Sequence, residues 1–155
     1  MTPRVRGRMA IVVFLAVPLA GIDLLVKSVL PVAPAFFHRR SGEWMILSAV
    51  LLVFALLLTR LPSRLLAGSA GLLAAGVLGN LVSARLHRGL VPNPFVIVRG
   101  DLGLAFNLAD LFVLVGIALL TVAALRLAVR YRHLLPQSTV AVRLYRRVRS
   151  LRASG

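Results

Sequence analysis

The sequence predicts an all-α integral membrane protein with four transmembrane helices. Of its 155 residues, 59% are hydrophobic, whereas a soluble domain of this length carries far more polar surface. Four apolar runs approach the length needed to cross a hydrocarbon core of roughly 30 Å, which takes about 20 helical residues. They lie at about 9–30, 44–59, 65–84 and 104–125. The pattern predicts a four-helix membrane domain over residues 1–132 and a basic cytoplasmic tail over 133–155.

The first run carries a charged pair inside an otherwise apolar helix. Asp23 and Lys27 lie four residues apart on one helical face, where the two charges can neutralise each other. The basic start of the chain resembles a signal peptide. However, the run continues to Leu30 without a small-residue cleavage site, so we expect this helix to be retained. The second run is short, and Trp44 at its start is typical of a membrane interface.

The third and fourth runs differ in composition. The third has small residues about one turn apart, which predicts close approach of neighbouring helices. These residues are Gly68, Gly71, Ala75 and Gly79. Asn80 follows them, and its amide is expected to hydrogen-bond a neighbouring helix. The fourth run contains an acid, Asp110.

The distribution of arginine predicts the topology. Arginines precede the first helix, fill the turn between the second and third, and follow the fourth. The positive-inside rule places these three segments in the cytoplasm, with both termini inside. The connections at 31–43 and 85–103 then form a small outward-facing loop region, although they also carry arginines.

Charge and composition limit the partners. The formal net charge is +15, and the arginines flank apolar runs, which favours contact with anionic membrane lipid rather than nucleic acid. The tail at 140–152 is interpreted either as an amphipathic helix in the headgroup layer or as a disordered basic segment. There is no cysteine, and the three histidines are scattered along the chain, so we expect no metal site and no cofactor. The oligomeric state stays open.

Acidic residues are few, and three of the four lie in or beside predicted spans: Asp23, Asp101 and Asp110. An ionised side chain in hydrocarbon costs several kcal/mol unless it is paired or faces water. Asp23 has a structural explanation in Lys27. Asp110 has only the amide of Asn107 one turn earlier, which favours a functional role for Asp110.

Four motifs occur in order along the chain. They read DLLVK at 23–27, GNLVSARLHRGLV at 79–91, RGDLGLAFN at 99–107 and FNLAD at 106–110. They resemble the DQxxK, GNLxDRLxxGxV, GDxxxPAFN and FNxAD motifs of signal peptidase II, the lipoprotein signal peptidase family. The resemblance covers most of residues 20–125, with the four spans in matching order.

The resemblance implies an aspartic endopeptidase in the bacterial cytoplasmic membrane, with its site facing outward. In that family two aspartates share a proton and activate a water, which attacks the peptide bond before a diacylglyceryl-modified cysteine of a prolipoprotein. The second aspartate falls on Asp110, and the first falls on Asn93. An amide cannot take a proton from water at physiological pH. The resemblance therefore predicts a degenerate dyad.

Outside the two aspartate positions, the sequence matches the family's motifs only in part. The expected supporting or substrate-binding residues are Asn107, Asn80, Arg85, Asp101, Asp23 and Lys27. Ser83-Ala84 stands where the family has an aspartate, and Leu24 stands where it has glutamine. The segment at 33–44 has no clear counterpart of the motif that lines the family's active site.

Three hypotheses follow from these residues. The first is a catalytically impaired family member that binds a prolipoprotein, a lipid-modified signal peptide or another membrane protein. The second is an active, divergent peptidase in which Asp101 or Asp23 supplies the missing carboxyl. The third is an unrelated four-helix membrane protein in which Asp110 caps a fourth helix that begins near Leu108.

Overall fold

The protein is described by a computed structural model over residues 2–99 and 102–132. In this part of the chain the four helices are α1 (Pro3–Val29), α2 (Gly42–Leu58), α3 (Arg64–Leu86) and α4 (Leu108–Arg130). A 3₁₀ turn, Pro34–Phe36, leads into the first of the short strands. The strands are β1 (Phe37–Arg39), β2 (Leu90–Pro92), β3 (Phe95–Arg99) and β4 (Leu102–Phe106).

The helices have the length and surface of membrane segments. Three of them, α1, α3 and α4, are long and apolar enough to cross a membrane. At 17 residues, α2 is shorter, and about 25 Å of helix falls below a core of roughly 30 Å. Large apolar side chains point outward, including Phe14 at 79% and Ile46 at 68% exposure. Extended apolar surface of this kind marks contact with lipid or protein.

Small residues on α3 place it at the centre of the bundle. A Cβ at Gly76 would meet the carbonyl oxygen of Ala109 on α4, and one at Gly71 or Gly79 would meet Leu15 or Asp23 on α1. The predicted close approach is therefore confirmed at Gly71 and Gly79, and Gly76 adds a contact that was not predicted. At Gly68 nothing lies within 4 Å of the added atom, so this glycine makes no such contact.

Two small antiparallel sheets occupy the connections that the sequence predicted as loops. One sheet joins β1 to β2, and the other joins β3 to β4. The first sheet ties the connection between α1 and α2 to the segment that follows α3, with His38 opposite Val91. The predicted all-α fold is therefore wrong in these connections, which contain β-strands.

The start of the fourth helix was predicted wrongly. It begins at Leu108 and not near Leu104, because residues 102–106 pair with 95–99 as strands. The first residues of the predicted span therefore belong to β4, and the rest belong to α4. A β-hairpin stabilises its first part, and Asn107 caps the helix that follows.

The chain divides into two compact units, Met1–Ala123 and Ala124–Gly155. The first unit holds α1 to α3, both sheets and most of α4. In the second unit the described residues end at 132, and the Arg130 guanidinium lies 5.9 Å from the centre of the Tyr131 ring. The tail predicted to be amphipathic, residues 140–152, lies outside the described residues.

Candidate functional site

The first turn of α4 is closed by a reciprocal cap. The Asp110 backbone N–H donates to Asn107 Oδ1 at 3.1 Å, and the Asn107 N–H donates to Asp110 Oδ2 at 3.2 Å. This arrangement is a capping box, in which two otherwise unpaired backbone donors find side-chain acceptors. The cap positions the Asp110 carboxylate at the start of the helix.

A second set of contacts ties Asp110 to the charged pair on α1. Its Oδ1 accepts from Asn80 Nδ2 at 2.9 Å. The Oδ1 of Asn80 accepts in turn from Lys27 Nζ at 2.8 Å, and Lys27 also donates to Asp23 Oδ2 at 2.7 Å. The other Asp23 oxygen accepts from the Ala109 N–H at 2.8 Å. Asp23, Lys27 and Asn80 are all buried, so hydrogen bonds replace the water that these groups lose.

On the other side of Asn107 lies Asn93, whose side chain is fully buried. Asn107 Nδ2 donates to Asn93 Oδ1 at 2.6 Å, and Asn93 Nδ2 lies 2.9 Å from His38 Nδ1. The Asn93 backbone N–H donates to the Phe36 carbonyl at 3.1 Å. Pairing of β1 with β2 therefore brings His38 and Asn93 together across 55 positions of sequence.

The hydrogen bonds through these amides have a fixed direction. The Asp110 N–H can only donate, so Asn107 must present its oxygen there and its NH₂ group to Asn93. Asn93 must then accept with its oxygen and donate with its NH₂ group to His38. His38 Nδ1 therefore acts as the acceptor of this hydrogen bond, with the ring N–H at Nε2.

Most of the predicted site residues belong to this one network. It joins Asp110, Asn107, Asn93, Asn80, Lys27 and Asp23. Arg85 lies exposed in the last turn of α3. Asp101 lies outside the described residues. Asn93 and Asp110 are linked through Asn107, which hydrogen-bonds both residues.

Sequence reasoning missed residues in the connection between α1 and α2. His38 touches Asn93, and the Arg40 guanidinium lies 4.8 Å from the centre of the Trp44 ring beside the site. No spacing in the sequence pointed to them, because strand pairing and not helix periodicity brings them near. The segment at 33–44 therefore contributes directly to the site.

A groove of about 380 Å³ opens beside Asp110. One end is polar, with Arg40, Asn80 and Asp110. Its remaining length is lined largely by apolar side chains of α2, α3 and α4, namely Leu51, Val77, Val113, Leu114 and Ile117, with Trp44 and Ser48 also in the wall. The groove can therefore hold a ligand that has both a polar and an apolar part.

Among the described residues, one carboxylate of the site is open to a ligand. Asp110 is only partly buried and lines the groove, whereas both oxygens of the buried Asp23 carboxylate are hydrogen-bonded. Glu43, the other acid in the described part of the chain, is exposed in the first turn of α2. Within residues 2–99 and 102–132, no group of three or more His, Asp or Glu side chains could hold a metal ion.

The fold and the site define a small helical membrane protein whose polar side chains converge at one end of its helices. A family model described as "Signal peptidase (SPase) II" matches residues 32–126. The chain belongs to the signal peptidase II family, which confirms the resemblance of its motifs. The hypothesis of an unrelated membrane protein is wrong, although its expectation of a cap at Asn107 and Asp110 is confirmed.

Two solved structures have a similar fold. Both are described as a bacterial membrane enzyme structure by the in meso method, at 2.3 Å and 1.9 Å resolution. The first is 21% identical with a TM-score of 0.57, over 74% of this chain and 87% of that chain. The second is 24% identical with a TM-score of 0.57, over 74% of this chain and 92% of that one. Among curated proteins, no match to the sequence is found.

Proposed function

We propose that this chain is a signal peptidase II family member that binds lipid-modified signal peptides without cleaving them. The observation that carries the proposal is the amide of Asn93 at the position that matches the family's first catalytic aspartate. That amide is fully buried, and both of its polar atoms are hydrogen-bonded, to Asn107 and to His38. A general base must be able to accept a proton, which an amide does not do near neutral pH.

No other carboxylate in the described part of the chain replaces the missing one. The Asp23 oxygens are held by Lys27 and by the Ala109 N–H, so this acid serves the contact between α1 and α4. Asp110 receives hydrogen bonds from two amide groups and from no acid. A lone aspartate of this kind can bind a polar group of a ligand, but a dyad needs a second carboxyl to share its proton.

The groove supports binding of a lipid-modified peptide. Its apolar walls suit acyl chains or apolar side chains, and Asn80, Arg40 and Asp110 at the polar end suit a peptide backbone. The proposed ligand class is therefore a prolipoprotein or the lipid-modified signal peptide itself, with Asp110 at the polar end. Asn80 and Asn107 hold Asp110 in place.

We further propose that α2 spans the membrane with α1, α3 and α4. This places both termini in the cytoplasm and the site on the outer side of the bacterial cytoplasmic membrane. The chain has no cysteine, so single cysteines at the exposed positions Ser41 and Pro62, which flank α2, test this topology. Ser41→Cys is expected to react with an impermeant thiol reagent from outside, and Pro62→Cys only after permeabilisation. Labelling of both from one side would overturn the topology.

The function is tested with the purified chain and a diacylglyceryl-modified precursor peptide. We expect saturable binding of the lipidated peptide, weaker binding of the same peptide without lipid, and no cleavage product by mass spectrometry. Leu114→Ser removes an apolar side chain of the groove and is expected to weaken binding about tenfold. The matched control is Leu111→Ser, because Leu111 is also exposed on α4 but does not line the groove.

Two outcomes would contradict the proposal. Cleavage by the wild-type chain that disappears in Asp110→Asn would show an active peptidase with a replacement for the missing carboxyl. Loss of that cleavage in Asp101→Asn would then identify the replacement. Equal binding of the lipidated and unmodified peptides would remove the proposed ligand class.

A further inference from the structure

A basic cavity lies where the N-terminal ends of α1 and α3 meet, at the end of the bundle away from Asp110. Its volume is about 620 Å³, within the range of roughly 300–1,000 Å³ found for small-molecule sites. It is lined by Pro3, Arg4, Gly7, Arg8, Ile11, Pro62, Ser63 and Arg64. Three of these residues are arginines, and none of this lining set is acidic.

One of the three arginines, Arg8, is held in place by backbone carbonyls. Arg8 Nε donates to the Thr59 carbonyl at 2.6 Å, and an Nη of the same guanidinium donates to the Arg60 carbonyl at 3.5 Å. These bonds fix the guanidinium against the end of α2 and leave its remaining N–H donors for a ligand. Arg4 and Arg64 are exposed and flank it from α1 and α3.

An apolar cleft lies beside the two residues whose carbonyls hold Arg8. Its volume is about 600 Å³, and it runs between α1 and α2. The cleft is lined by Val5, Met9, Leu56 and Leu57, with Thr59 and Arg60 at its end. Thr59 and Arg60 supply the carbonyls that hold Arg8, so the basic cavity and the apolar cleft are adjacent.

We propose that the basic cavity binds the phosphate of an anionic phospholipid, with an acyl chain of the same molecule in the apolar cleft. Guanidinium groups form paired, charge-assisted hydrogen bonds with phosphate oxygens, so three arginines without a carboxylate among the described lining residues favour a phosphate. The first turns of α1 and α3 also contain no acid that would compete with it. The adjacent apolar cleft distinguishes a lipid from free phosphate.

The test uses the full chain extracted from vesicles of phosphatidylglycerol mixed with phosphatidylcholine, or of phosphatidylcholine alone. Native mass spectrometry counts the lipids retained, and the melting temperature reports stabilisation by a ligand that binds the folded state. We expect one phosphatidylglycerol to remain bound to the wild-type chain. The double variant Arg4→Gln/Arg64→Gln is expected to bind this lipid about 25-fold more weakly, because the loss of each surface arginine weakens binding about fivefold.

The matched control is Arg6→Gln/Arg126→Gln, which removes the same charge from exposed positions that do not line the cavity. Equal loss in both double variants would overturn the proposal, because the attraction would then depend on total charge. Displacement of the lipid by inorganic phosphate at equal concentration would overturn the lipid assignment in favour of a free-phosphate site. Neither outcome bears on peptide binding in the groove beside Asp110, so this test is independent of the proposed function.

Discussion

The variant Asn93→Asp is expected to cleave a diacylglyceryl-modified precursor peptide at a rate about 100-fold or more above the detection limit, at which the wild-type chain is expected to give no product. General acid–base catalysis by one positioned side chain contributes about 10²- to 10⁴-fold. The substitution supplies a second carboxyl while changing few atoms, because one oxygen can still accept from Asn107 as the amide oxygen does. Release of the signal peptide, followed by mass spectrometry, measures the gain.

His38 decides how the new carboxylate is held. In the present chain Asn93 donates to His38 Nδ1, so a second oxygen at that place requires the ring to donate instead. The ring can do so by moving its proton from Nε2 to Nδ1. We expect the double variant His38→Ala/Asn93→Asp to keep the gained activity within about tenfold, since one hydrogen bond contributes about 1 kcal/mol. The single variant His38→Ala is expected to give no cleavage product.

Two controls separate a restored dyad from a general effect of added charge. Asn80→Asp also places a carboxylate beside Asp110, but this carboxylate would pair with the Lys27 ammonium. The variant is therefore expected to give no cleavage product. Asn93→Asp/Asp110→Asn keeps the new acid and removes the old one, and it should lose the gain. If Asn93→Asp binds the peptide and remains folded without any cleavage, the missing carboxyl is not what silences the site.

The long helices were predictable because their signal is local. Apolar runs of helical length predicted the end of α1 and both ends of α3 to within about two residues. The small residues of α3 predicted that other helices pack closely against it. The start of α4 was not predictable in the same way. Leu104 lies in an apolar run that suits either helix or strand, and its pairing with Ile97 settles the choice.

The site was predictable only where its residues share a helix or a motif. Asp23 and Lys27 lie one turn apart, and their predicted contact is present at 2.7 Å. Asn107 and Asp110 lie in one motif, and they cap the helix together. His38 and Asn93 meet only through the pairing of β1 with β2, for which the sequence offers no periodic signal.

The buried pair of Asp23 and Lys27 gives the largest expected effect on stability. Lys27→Met leaves the Asp23 carboxylate at 0% exposure without its cation, and it also removes the donor to Asn80. Breaking one partner of a buried ion pair costs about 3 to 5 kcal/mol, because the remaining charge is not compensated. We expect a large fall in the free energy of unfolding, measured by SDS titration or by the melting temperature in detergent. The matched control, Arg85→Met, removes an exposed cation of α3 and should change stability little.

The double variant Asp23→Asn/Lys27→Met separates the charge from the packing. An asparagine oxygen can still accept from the Ala109 N–H, so the link between α1 and the start of α4 is kept while the buried charge is removed. We therefore expect the double variant to be more stable than Lys27→Met alone, with a coupling energy of about 1 to 3 kcal/mol between the two positions. A double variant no more stable than Lys27→Met would show that the lost ammonium contacts, and not the unpaired carboxylate, cause the damage. In that case Lys27 contributes mainly through Asn80, and so through the orientation of Asp110.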